Sequence, residues 1–298
     1  MLRWRLLLGT LIIGILVGLC WLDHLAETRH AAMRGMWLLP VAILFAVAAS
    51  GEVLYLARAA GMRPLAWAVY GGNVLLIASN WGGELFRAGT DNASSLPAVA
   101  WPWCVLAVGV LSIFVGEMRR YEKPGGATAN VAAAVFALVY VGVMFSFVVQ
   151  LRMLWGVGAL ASLVIVTKMG DTGAYTIGRL FGRHKMAPVL SPGKTIEGAV
   201  GALVFACLAS WATFTWLLPV FGEPGRQGGT CCGWIPFGLL VGTAGMLGDL
   251  AESLLKRDVG CKDSSRWMPG FGGVLDLLDS ILLAAPVAWI CWALGMVG

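Results

Sequence analysis

The chain has 298 residues, 59% of them hydrophobic and only 12% charged, with a mean hydropathy of +0.81 and a formal charge of +5. A soluble domain carries about twice that charged fraction, and apolar runs of membrane-spanning length recur along the whole chain, which excludes a soluble core. The cations sit in loops between those runs, so the net charge is no nucleic-acid signal, and no nucleic acid is expected as a partner.

The pattern predicts an all-α, polytopic integral membrane bundle of about nine transmembrane helices. They fall near 5–22, 36–57, 65–80, 97–117, 128–150, 153–169, 197–221, 234–256 and 274–296. The first follows Arg3 and Arg5 as a signal peptide would, but eight further spans favour an uncleaved helix. With a cytoplasmic N-terminus and alternating loops, sixteen Lys and Arg fall inside and five outside. That bias sets the expected orientation and supports an odd number of spans. Seven cysteines are scattered without a CxxC pair, so neither a thiolate zinc site nor a redox motif is indicated.

Residues 1–150 read as a transmembrane scaffold. Glu52 lies inside the second span and is expected to face the bundle near an interface, with a functional role as the alternative. Trp101 and Trp103 suit an aromatic belt. Residues 151–298 read as the catalytic region, with its site on the cytoplasmic side. Their stretch 168–198 is too polar and Gly-rich to span and is expected as a basic loop. Within it Asp171 and Tyr175, four apart, would share a helical face. ProGlyLysThr at 192–195 is no Walker A motif, because Pro188 stands where the first glycine must be. Lys194 could still bind phosphate together with backbone amides.

The densest chemistry lies in 248–280, GDLAESLLKRDVGCKDSSRWMPGFGGVLDLLDS, with six of the sixteen carboxylates. Glu252, Ser253 and Lys256 follow Asp249 at i+3, i+4 and i+7, on one helical face. Asp276 and Asp279 share a face at the start of the last span, after a Gly-rich turn at Gly272 and Gly273 that lets backbone approach a ligand. Two antiparallel helix ends would present Asp249, Asp276 and Asp279 to one point at the cytoplasmic surface. Carboxylate oxygens without His or Cys favour Mg²⁺, Mn²⁺ or Ca²⁺ over zinc. Neighbouring cations favour an anionic ligand, and together these groups suit a phosphate-bearing substrate. The competing structural reading is an ion-pair network that closes a helix hairpin.

At these residues the chain resembles the phosphatidate cytidylyltransferase (CDP-diacylglycerol synthase) family. The resemblance rests on Ser253, Lys256, Arg257, Lys262, Asp263, Pro269, Gly270, Gly272, Gly273, Asp276 and Asp279, on DTGAY at 171–175 and on SPGKTIEG at 191–198. It is specific over 168–280 and general before that. Two positions depart from the family pattern: Phe271 replaces a His and Leu277 an Arg. The resemblance implies that CTP and phosphatidic acid give CDP-diacylglycerol and pyrophosphate. It implies Asp249, Asp276 and Asp279 as ligands of Mg²⁺, with Mn²⁺ as the alternative and room for a second cation. It implies Asp249, Lys256, Asp276 and Asp279 as catalytic. Asp171, Lys194, Ser253, Arg257, Lys262, Asp263, Gly272 and Gly273 would bind substrate. It also implies CTP, phosphatidic acid and the bilayer as partners, and a homodimer. A bacterial inner membrane is the expected location. Competing readings are a CTP-dependent polyprenol or phytol kinase, a membrane transporter, and an inactive homologue.

Overall fold

A computed structural model describes residues 2–29, 34–82, 98–221, 232–261, 265 and 272–297. Its helices are α1 (Leu2–Arg29), α2 (Leu39–Ala59), α3 (Ala66–Ala78), α4 (Trp101–Arg119), α5 (Ala127–Ala137), α6 (Met144–Trp155), α7 (Val157–Phe181), α8 (Ile196–Ala212), α9 (Trp234–Asp258) and α10 (Val274–Ala293). A π-helical stretch, Leu138–Val143, joins α5 to α6, so Ala127–Trp155 runs as one rod. Among the described residues six helices are long and apolar enough to cross a membrane: Leu39–Ala59, Trp101–Arg119, Ala127–Trp155, Ile196–Phe221, Trp234–Asp258 and Val274–Ala293. Among the described residues the all-helical expectation holds apart from an antiparallel hairpin, β1 (Lys185–Ala187) with β2 (Ser191–Thr195), in register Lys185↔Thr195 and Ala187↔Ser191.

The chain divides into two compact units, residues 1–153 with 261–275, and residues 154–260 with 276–298. In the first unit α2, α3, α4 and the α5–α6 rod pack around Ala46, Val69, Leu76, Leu138 and Val141, all fully buried. The interior also carries polar side chains that hydrogen-bond one another. Asn73 donates to Ser50 Oγ at 2.7 Å, and Gln150 donates to Asn80 Oδ1 at 3.2 Å. Such pairing is what a low-dielectric interior demands of buried amides. Arg152, which the sequence places in an outside loop, is instead buried in α6. It holds Asp23 at 2.6 Å and Glu27 at 2.9 Å.

In the second unit α7 and α8 pack at backbone distance. A Cβ on Gly173 would meet the Gly201 carbonyl oxygen at 2.6 Å, so only glycine permits this approach. Helix α7 runs twelve residues past the expected end at 169, so the expected loop begins only after Phe181. Local side-chain bonds support the extension. Thr172 and Thr176 hydroxyls donate to carbonyls one turn back, at 2.8 and 2.9 Å, and Arg179 bonds the Tyr175 hydroxyl at 2.8 Å. Asp171 and Tyr175 therefore lie within a helix, four residues apart.

Candidate active site

Three helices and the hairpin of the second unit bring the charged residues together. Gly248, on α9 beside Asp249, lies directly against α10: a Cβ there would clash with the Asp279 carbonyl oxygen. One turn earlier Gly245 faces Thr167 of α7 and Ser280 of α10. These contacts fix the crossing of α7, α9 and α10 at the level of the acidic residues.

Lys168, Lys194 and Lys256 are each paired with a carboxylate. On α7, Lys168 Nζ lies 3.1 Å from Asp171 Oδ2 and donates to Ser280 Oγ at 2.9 Å, and Ser280 Oγ donates to Asp171 at 3.1 Å. This triangle ties α7 to α10. From the hairpin, Lys194 Nζ reaches Asp249 Oδ2 at 2.8 Å. On α9, Lys256 Nζ donates to Glu252 Oε2 at 2.6 Å and to Asp276 Oδ1, bridging α9 and α10. Glu252 is 1% exposed, and its Oε1 is buried without a hydrogen-bond partner among the described residues. Asp279 is buried, and its Oδ1 accepts from the Ser280 N–H at 2.5 Å. Arg257 Nε donates to the Leu190 carbonyl at 3.3 Å and so holds the hairpin turn against α9. Ser253 is half-buried on the same helix.

The base of the hairpin is fixed from α8. Thr195 caps that helix by accepting the Gly198 N–H at 3.1 Å. Glu197 accepts the backbone N–H groups of Arg183 and His184 and lies 2.6 Å from His184 Nδ1. His184 is thus engaged with a carboxylate. Gly272 has φ +81°, a left-handed conformation that glycine adopts without strain, and Gly273 immediately precedes α10. Lys262, Asp263 and Phe271 lie outside the described residues.

Sequence reasoning picked out Asp171, Lys194, Asp249, Lys256, Asp276 and Asp279, and the structure engages all six in one charged region. It passed over Lys168, Ser280 and Glu252 as site residues. The spacing of Glu252 and Lys256, four apart on a helix, was a usable signal for one of them. Nothing local in the sequence points to Ser280 as a partner of α7.

Five carboxylates (Asp171, Asp249, Glu252, Asp276, Asp279) meet three ammonium groups (Lys168, Lys194, Lys256) here. The donors are hard oxygens, the chemistry of a Mg²⁺-type ion. Their arrangement is another matter. Among the described residues no three His, Cys, Asp or Glu side chains gather into a metal-holding group. Lysines occupy Asp249 and Asp276 instead.

A profile of the cytidylyltransferase family matches residues 4–294 of this chain. The chain is 39% identical over 169 residues to the phosphatidate cytidylyltransferase of Mycobacterium bovis, covering 56% of this chain and 52% of that protein. It is 34% identical over 207 residues to the enzyme of that name from Chlamydia pneumoniae, covering 66% and 65%. With the one from Staphylococcus aureus it shares 32% over 198 residues, covering 64% and 72%. The matched region thus spans about half the length of the mycobacterial relative.

Proposed function

The chain belongs to the cytidylyltransferase family, and from that premise we propose that it transfers the cytidylyl group of CTP to phosphatidic acid, giving CDP-diacylglycerol and pyrophosphate. The observation that carries the reading is the lysine–carboxylate assembly formed by α7, α9, α10 and the hairpin, in the region where the family-like motifs lie. A phosphate oxygen of phosphatidate forms the new bond to the α-phosphorus of CTP. The bond from that phosphorus to the α–β bridging oxygen breaks, and pyrophosphate leaves. The attacking group is a phosphate monoester with its second pKa at about 6 by analogy with phosphoserine, so it is largely ionised near neutral pH. It therefore needs little help from a base, and catalysis reduces to positioning and charge neutralisation.

Lys194 and Lys256 are assigned to the phosphates, exchanging their carboxylate partners for substrate oxygens. Lys168 and Arg257 add positive charge nearby. Lys262 and Asp263 remain assigned to substrate on sequence grounds, as does Ser253. Gly272 and Gly273 would leave the backbone open to the nucleotide. Asp249, Asp276 and Asp279 are the residues that would hold Mg²⁺, with Asp171 in support and Mn²⁺ as the alternative. When bound, such an ion would neutralise charge on the triphosphate. For Asp249 and Asp276 this requires the lysines to let go first. About nine spans, a cytoplasmic N-terminus and site, a bacterial inner membrane and a homodimer belong to the same proposal. The orientation is supported by the sixteen-to-five distribution of loop cations.

The test uses purified protein in lipid–detergent micelles with phosphatidic acid, Mg²⁺ and CTP labelled at the α or the γ phosphorus. Label from the α position should enter lipid, while γ label leaves as pyrophosphate. Transfer of γ label to a supplied lipid alcohol would instead establish a kinase. No transfer by folded protein would overturn both.

A further inference from the structure

Glu52 sits in the middle of α2, an apolar helix of spanning length, and is 7% exposed. A carboxylate there is costly unless its oxygens find strong donors. The donors are backbone. Oε1 accepts the Val274 N–H at 2.8 Å, and Oε2 accepts the Leu275 N–H at 2.9 Å. Ser265 Oγ adds a third bond to Oε1 at 3.0 Å. Val274 and Leu275 are the first two residues of α10.

The first N–H groups of a helix have no acceptor within the helix, and a side chain just before it usually supplies one. Here the two preceding residues are Gly272 and Gly273, which have no side-chain oxygen to offer. The same glycines are the ones the proposed reaction needs bare. The cap comes instead from a helix 222 residues away in sequence. A negative charge is also what a helix N-terminus favours electrostatically. Asp276 is the third residue of α10, within the turn whose N–H groups Glu52 holds, and its carboxylate carries Lys256.

We propose that Glu52 is a positioning residue for the cytidylyl transfer. It caps the first turn of α10 from α2, and this keeps Asp276 in register where the flanking glycines cannot. The inference rests on the functional reading above. Its distinguishing feature is that the cap can be read without substrate, by amide hydrogen exchange at Val274 and Leu275.

The experiment compares wild type, Glu52→Gln and Glu52→Leu in lipid–detergent micelles, with rates expressed per folded monodisperse protein. In Glu52→Leu the two amides should exchange about tenfold faster. Its kcat should fall about a hundredfold while the KM for CTP holds, because a displaced turn misplaces a reacting group without removing a binding one. Glu52→Gln keeps one acceptor oxygen and should recover most of the loss. A purely structural role would lower the yield of folded protein and leave kcat per folded molecule unchanged, and that result would overturn the proposal. So would wild-type exchange at both amides in Glu52→Leu. Should Glu52→Leu fail to fold, Glu52→Gln decides alone: partial loss of kcat with faster exchange supports the role, and wild-type values of both refute it. Wild-type protein that makes no CDP-diacylglycerol overturns the functional reading and the positioning role with it, while the exchange data still report on the cap.

Discussion

In residues 1–153 with 261–275, the buried carboxylates Asp23 and Glu52 are held largely by backbone N–H groups. Asp23 is fully buried and accepts the Gly35 and Trp37 N–H groups, both at 3.2 Å, and Arg152 Nε at 2.7 Å. Glu52 holds two backbone N–H groups, whereas Glu117 is held by the Arg120 and Asn130 side chains. In residues 154–260 with 276–298 the pattern differs. Asp249 and Asp171 have side chains 39% and 38% exposed, and their partners are lysine or serine side chains. A backbone donor fixed by a helix has no alternative position. A lysine on a four-carbon stem can exchange a carboxylate for a phosphate at little cost. Both regions bury or half-bury acids, so acid content alone does not mark a site. What marks it is whether the partners can be replaced by a ligand.

The sharpest way to break that contrast is to neutralise an acid of the second region. Asp276→Asn or Asp279→Asn should lower turnover by about a thousandfold, with the protein still inserted and monodisperse. Label transfer from α-labelled CTP gives the rate, and size-exclusion chromatography gives the fold. Near-normal turnover would remove both residues from the chemistry.

The converse experiment takes an acid from the first region. Asp23→Ala leaves the Arg152 guanidinium buried without its principal counter-charge, although Glu27 remains at 2.9 Å. Breaking a buried pair in this way costs about 3–5 kcal/mol. Thermal melting in micelles should drop clearly, while kcat of the surviving folded protein stays at the wild-type value. A selective loss of kcat would instead move Asp23 into the functional class.

Lys194→Ala probes the exchangeable kind of partner. The pair with Asp249 is 23% and 39% exposed, so its contribution to stability is small. If Lys194 passes from Asp249 to a phosphate, the KM for CTP should rise by about one to two orders of magnitude, with melting unchanged. A lowered melting temperature with unaltered KM would make the pair structural.

The sequence made part of this legible. Hydropathy located the helices, because a bilayer sets both their length and their composition. The spacing of Glu252, Lys256, Asp276 and Asp279 located the charged cluster, because helical periodicity turns sequence intervals into faces. It gave Asp171 and Tyr175 a shared helical face but did not reveal that α7 would continue unbroken to Phe181. Glycine and threonine in that stretch read as loop formers, and the close packing of Gly173 on Gly201 is the contact that accounts for the outcome. Nor could it reveal the partners of Glu52 or Arg152, which lie 222 and 129 residues away. Such contacts depend on tertiary packing, for which a single sequence carries no local signal.

The smallest expected effect concerns Phe271, which stands where the resemblance expects a His. If the reaction needed a base, a chain without that His would be crippled, and Phe271→His would restore a large factor, since proton transfer contributes about 10²–10⁴-fold. The proposed nucleophile is a phosphate monoester, which has already lost its second proton in most molecules at neutral pH. The substitution should therefore change kcat by less than about tenfold in assays at neutral pH. A gain near a thousandfold would mean that the natural chain is close to inactive, and that the lysine–carboxylate assembly persists without turnover.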